Sequence, residues 1–126
     1  MFDTDAIEGI HELEKKLPEE LRYWHKWGNI AEMHHRHVYR PAHGDDICCI
    51  EMVLQDIRAA HAIRVSLFHV SGRISFDTNG GFYSGLTIED CSAWGYEPEH
   101  RFRISSLEQD LDLEIYCETI KVALIR

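Results

Sequence analysis

This chain has no run of about 18 apolar residues, the length a bilayer-crossing helix needs, so no membrane span is expected. Its first residues, Met1-Phe2-Asp3-Thr4-Asp5, are acidic and lack the apolar stretch of a secretory signal, which is likewise not expected. None of its four cysteines stands in a CxxC pair, and adjacent Cys48 and Cys49 must point to opposite faces of any strand. A disulfide framework or zinc site is therefore not predicted. Cys48, Cys49, Cys91 and Cys117 read as reduced, packed thiols of a cytoplasmic protein. Signatures of catalysis are missing as well: GxSxG, GxGxxG, the phosphate-binding P-loop, HExxH and the PCxxC of zinc deaminases. No linker, internal repeat or low-complexity stretch divides the sequence, so residues 1–126 read as a single domain.

What is present is an ordinary globular composition, 44% apolar and 28% charged. A chain of this length buries about two-thirds of the surface its unfolded form exposes, so a core needs no covalent staples. The net charge is −9 and unevenly spread. Residues 1–20 carry seven acids against Lys15 and Lys16. Residues 21–43 reverse this, with Arg22, Lys26, Arg36 and Arg40 against Glu32 alone, and the remainder is acidic again. Nucleic-acid binding draws its affinity from Lys and Arg displacing phosphate counterions, so direct contact with nucleic acid is not expected. An acidic surface favours a basic protein partner reached by electrostatic steering.

Hydrophobic periodicity changes at Gly28. Before it, Ile7, Ile10, Leu13 and Leu17 repeat at helical spacing behind the N-cap candidates Asp3, Thr4 and Asp5, and Lys15-Lys16 suits a helix C-terminus. Pro18 ends that helix and opens a second, short one reaching Trp27, with Gly28 as its C-cap. Trp24 and Trp27 are assigned to the core. After Gly28 the period is two: Ile50/Met52/Leu54, Ile63/Val65/Leu67, Ile74/Phe76, Phe102/Ile104, Leu111/Leu113/Ile115/Cys117 and Ile120/Val122/Leu124. The last two sets are one step out of phase, which predicts a bulge near Glu118-Thr119 in one long C-terminal strand. Turn signals stand at residues 41–46, Ser71-Gly72, Asn79-Gly80-Gly81 and residues 94–99. Short alternating strands with turns at about ten-residue spacing predict antiparallel sheet. The fold class is α+β, mostly β: an N-terminal helical segment over 1–28, then six to eight strands over 29–126 in an antiparallel β-sandwich or strongly curved sheet.

Five of nine histidines, His25, His34, His35, His37 and His43, fall in residues 25–43. His35 and His37 share a strand face, an HxH half-site for zinc or iron that a working centre completes with a donor from a neighbouring strand. His61, His69, Glu51 and Asp90 are the available donors. No second metal motif accompanies the pair, so it is read as part of a polar outer strand face, and neither metal nor cofactor is assigned. Glu89-Asp90, Asp110/Asp112 and Glu114 imitate a glycosidase dyad in composition. Adjacent strand residues face opposite sides, however, and Asp112 and Glu114 fall in the solvent-facing register, so no catalytic residue is assigned. The recognition candidate is Glu89-Asp90-Cys91-Ser92-Ala93-Trp94-Gly95-Tyr96-Glu97-Pro98-Glu99-His100, where Trp94 and Tyr96 sit among Glu89, Asp90, Glu97 and Glu99 in an expected loop. Large aromatics dominate interface hot spots because they bury much area at small entropic cost, and surrounding acids select a basic partner. Packing of Trp94 into the end of the core is the competing assignment.

Three stretches carry a family likeness. Trp27-Gly28-Asn29-Ile30-Ala31-Glu32-Met33 is an opening element before the first strand. Residues 63–76 are an apolar run, Phe68, a Val70-containing turn with Gly72, and a second apolar run. Leu113-Glu114-Ile115-Tyr116-Cys117-Glu118-Thr119-Ile120-Lys121-Val122 is a closing strand with Cys before a short Ile/Val run. Together they resemble the immunity-protein family numbered fifty of bacterial polymorphic toxin systems; where that family tends to show a His-Asp pair, this chain has Ile30 and its neighbours. The resemblance implies a cytosolic protein that neutralises a cognate toxin, in many such systems a basic nuclease, by stoichiometric binding and without catalytic residues. Two other readings fit the same sequence: a phage or mobile-element inhibitor of a host defence complex, and a small metal-binding domain or metalloenzyme built on residues 25–43.

Overall fold

The computed structural model describes residue 2 and residues 4–77, 86–94, 100–106 and 112–126. Alternating apolar residues form eight strands here: β1 (Asn29–Arg40), β2 (Asp45–Gln55), β3 (Ala62–Phe68), β4 (Ser71–Asp77), β5 (Leu86–Asp90), β6 (Phe102–Ser106), β7 (Asp112–Cys117) and β8 (Thr119–Leu124). One helix, α1 (Ile10–Lys16), precedes them. The strands pair antiparallel into two four-stranded sheets, ordered β1-β2-β3-β8 and β4-β7-β6-β5. The fold is therefore α+β and mostly β, as the alternation predicts. Inward residues of both sheets share one buried cluster, including Met52, Ile63 and Leu67 from the first sheet and Ile88, Phe102 and Ile115 from the second. Each such side chain contributes about 1.5–3 kcal/mol by leaving water.

Two chain segments cross side by side from one sheet to the other. β3 passes into β4 through His69 and Val70, with His69 at φ 55°. β7 passes into β8 through Glu118 alone, and the Glu118 N–H donates to the Phe68 carbonyl at 3.1 Å, tying the two crossings together. The phase slip is thus a corner between two strands in different sheets, which corrects the expected bulge within one strand. An extra residue at the bend lets Ile115 and Cys117 on one side, and Ile120 and Val122 on the other, all face the core. The Ser71-Gly72 turn signal is also displaced: Ser71 already opens β4, and the direction changes at His69.

The N-terminal segment departs further from expectation. α1 starts only at Ile10, preceded by Gly9 at φ 87° with no side-chain cap. Thr4 is buried, and its Oγ1 accepts the Trp24 indole N–H at 3.1 Å, so this hydroxyl fastens the chain start to the second helical piece instead of capping α1. That second piece is two 3-10 turns, Glu19–Leu21 and Trp24–Trp27, separated by an extended Tyr23. Trp27 donates its indole N–H to the Leu21 carbonyl at 2.8 Å, and both tryptophans are buried as assigned. Gly28 has φ −73°, so it ends the turn without the left-handed conformation of a glycine cap.

Glu8 lies parallel to Lys121: its N–H donates to the Ile120 carbonyl at 3.0 Å, and its carbonyl accepts from Val122 N–H at 2.9 Å. This bridge covers part of the outer edge of β8, which would otherwise present unpaired backbone groups. Gly9 permits the approach twice over. Its backbone is left-handed, and a Cβ at this position would collide with the Val122 carbonyl oxygen. Gly9→Ala is expected to cost about 1–3 kcal/mol from the backbone conformation alone, and more with the collision. Urea unfolding should show a lower midpoint with an unchanged slope; a native midpoint would mean the close approach is dispensable.

Candidate partner-binding surface

Antiparallel register arranges the exposed charges in rows. On the second sheet, Glu89 of β5 pairs across from Arg103 of β6. The Arg103 guanidinium donates to Glu114 of β7 at 2.8 Å and to Glu89 at 3.4 Å. Its hydrogen bond to Glu114 outweighs burial and holds the Arg103 pKa above its ordinary value. The row is anion–cation–anion. On the first sheet the order is inverted: Glu51 of β2 lies 2.8 Å from Arg64 of β3 and 3.6 Å from Arg36 of β1. Such exposed pairs contribute only about 0.2–1 kcal/mol each. Their larger effect is to hold long side chains in fixed positions, with acid in excess in the Glu89–Arg103–Glu114 row and base in excess in the Arg36–Glu51–Arg64 row.

Asp90 ends β5 and orders the next turn. Its carboxylate accepts the Ser92 N–H at 3.0 Å and one guanidinium N–H of Arg101 at 3.5 Å. Burial acts to raise its pKa, but the Ser92 and Arg101 contacts prevail and keep the carboxyl below its ordinary range. Arg101 also stands over the Phe102 ring, 5.1 Å from its centroid. Glu89 and Asp90 thus turn to different arginines and form no carboxylate dyad.

Of the six residues predicted to meet a partner, Glu89 and Asp90 come together at the end of β5, and Trp94 closes the turn Ser92–Trp94 immediately after. The Trp94 side chain, Tyr96, Glu97 and Glu99 lie outside the described residues. Beyond them, His100 meets the ring of Tyr116 edge-on at 5.0 Å. Sequence reading missed Arg101 and Arg103 as members of this surface. The available signal was an acidic pair closing one short strand and two arginines flanking Phe102 at the start of the next.

The histidines divide between two faces of β1. His35 and His37 share a face, with rings edge-to-face at 5.4 Å, and the Cys48 Sγ of β2 lies 3.0 Å from His35 Nε2. Burial raises the Cys48 pKa and favours its protonated thiol. Among the described residues, no group of three or more His, Cys, Asp or Glu side chains is placed to hold a metal ion. The donors considered from sequence stand elsewhere: Glu51 between two arginines, His69 at the corner beside Glu118, Asp90 on the other sheet, and His61 in the β2–β3 turn. Cys49, Cys91 and Cys117 are buried, and burial pushes the Cys117 thiol up to about 12.

No protein family, no curated protein and no solved structure matches the chain.

Two measurements test this surface. The folded pKa of Asp90 lies below its unfolded value, so its carboxylate adds stability fully present above about pH 4 and lost as pH falls through the folded value. Asp90→Asn should therefore be less stable than the native chain at pH 7, the gap narrowing below about pH 4; a gap unchanged at pH 3 contradicts the assignment. With a chromogenic thiol reagent at pH 8, half-exposed Cys48 should react fast and the three buried cysteines only on unfolding. Cys48→Ser should abolish the fast phase, and a second fast thiol would refute the burial pattern.

Proposed function

We propose that this protein is a non-catalytic, cytoplasmic binding domain that neutralises a basic protein, acting as an immunity-type inhibitor of a cognate toxin. The observation supporting this reading is the Glu89–Arg103–Glu114 row, which fixes two half-buried carboxylates around one guanidinium, at the start of an acidic stretch of sequence, 89–99. Carboxylates already held in place lose little freedom on docking, so more of their attraction appears as affinity. An excess of 22 acids over 13 cations draws a basic partner from a distance and repels acidic ones. A basic nuclease fits this chemistry: the inhibitor competes for a cleft built for phosphate without itself binding nucleic acid. Inhibition of a host defence complex by a phage or mobile-element protein uses the same physics with another target. A toxin gene directly upstream favours the first, and neighbouring phage structural genes the second.

The test starts with the partner captured from the native host and purified. Its association rate with this protein should fall about tenfold or more between about 50 and 500 mM salt. Glu89→Lys and Glu114→Lys should each slow association several-fold while leaving the melting temperature within a few degrees. An acidic partner, or a rate indifferent to salt and to both substitutions, rejects the proposal.

A further inference from the structure

β1 is unlike the other seven strands described. It is twelve residues long, yet none of its side chains is buried, and among the described residues only β2 pairs with it. The remaining sheet edges are shorter or attended. β8 carries the Glu8 bridge, β5 lies against the Trp24–Trp27 turn, and β4 has a register shift between Ser71 and Ser75. Soluble proteins guard long edges with charged side chains, lysine above all, with proline or with a central bulge; the charges of β1, Glu32, Arg36 and Arg40, are of mixed sign and so can pair as well as repel. β1 has neither proline nor lysine, and its one bulge lies between Ile30 and Glu32, leaving Glu32 to Arg40 regular.

We propose that β1 pairs antiparallel with β1 of a second copy of this chain, about a twofold axis at His34, so that Glu32 of each copy lies opposite Arg36 of the other. The two four-stranded sheets then join into one continuous sheet, an isologous contact of the kind that closes a dimer.

Register selects this axis. Glu32, His34 and Arg36 pair with Val53, Glu51 and Cys49 and share one face of the sheet; Met33, His35 and His37 share the other. Twofold pairing about a residue sets the positions two before and two after it opposite one another on the same face. About His34, both copies gain a Glu32–Arg36 pair. About His35, Glu32 faces Val38 and Arg36 faces His34, so neither charge meets its opposite. About Arg36, Glu32 of each copy faces Arg40 of the other, whose guanidinium is already bonded to Asp45 at 2.7 Å, and two Arg36 guanidiniums oppose each other at the axis. Opposite charges facing across a ladder contribute about 0.2–1 kcal/mol each and like charges cost similar amounts, so the His34 axis leads the His35 axis by two favourable pairs and the Arg36 axis by the repulsion it avoids. Arg36 and Glu32 are both exposed at their ends, in loose contact with Glu51 at 3.6 Å and His34 at 3.3 Å. The wider field agrees. Two chains of net charge −9 repel, but β1 itself carries Arg36 and Arg40 against Glu32 alone, so about the His34 axis two copies pair this strand without acid facing acid.

Sedimentation equilibrium of the full chain between about 1 and 100 μM tests the contact. The native chain should form a reversible dimer. Glu32→Arg and Arg36→Glu should each raise its dissociation constant about tenfold or more, while the double variant E32R/R36E, which restores the pairing with reversed polarity, should return to within about threefold of native. Circular dichroism should be unchanged throughout. In a Cys48→Ser background, His34→Cys should cross-link the dimer on oxidation and Val38→Cys should not. A monomer at 100 μM overturns the proposal. So does a dimer indifferent to both single substitutions, a double variant no better than either single one, or a dimer tightened by Arg36→Glu.

Discussion

Both sheets turn on the hydrogen bond from Glu118 N–H to the Phe68 carbonyl. The strand pairs on either side of it, β3 with β8 and β4 with β7, are two continuous ladders folded over at this point. Without a fixed corner, the apolar residues of β7 and β8 would lie along one flat ribbon with opposite faces wetted. With it, Ile115 and Val122 face the same interior despite their opposite parity. The left-handed His69 on the neighbouring crossing meets the same requirement, and its imidazole stands 3.8 Å from the Glu118 carboxylate.

A folded pair of ladders leaves its sides open, and the N-terminal segment closes one of them. Phe2 packs on Trp24 with ring centroids 4.3 Å apart, the Thr4 hydroxyl accepts a hydrogen bond from the Trp24 indole N–H, and Glu8 extends the ladder past β8. Apolar residues from Ile7 to Leu17 then complete the core cluster. This covering meets β8 through α1 and β5 through the Trp24–Trp27 turn. Its backbone bridge is made to β8, so among the described residues the β1 edge of the same sheet keeps no partner but β2.

The strands were legible because burial on one face imposes a period of two, and sets such as Ile63/Val65/Leu67 show it plainly. The location of the corner was legible too, but its meaning was not. A bulge and a sheet crossing both shift parity by one residue, and only long-range pairing separates them. Thr4 and Gly9 were misread or passed over for a related reason. Their roles, a hydroxyl facing an indole twenty residues away and a backbone pressed against Val122, exist only once the strap is docked. At the candidate surface the acids Glu89 and Asp90 were found from composition. Arg101 and Arg103 were not, because a cross-strand partner is defined by register, which turn length and bulges decide.

Register also explains why one chain carries two faces of different character. Placing Glu51 between two arginines on one sheet, and Arg103 between two glutamates on the other, concentrates the acidic excess away from β1. Pairing through β1 would extend the first sheet sideways and leave the Glu89–Arg103–Glu114 row of the second sheet open on each copy. A basic partner would then meet two such rows on one rigid assembly. If the target is itself dimeric or repetitive, the second contact forms at a high effective concentration, and avidity adds to an affinity that each row alone supplies only weakly. The two proposals therefore reinforce each other where both hold, yet stand on separate residues: one on the edge of the first sheet, the other on the face of the second.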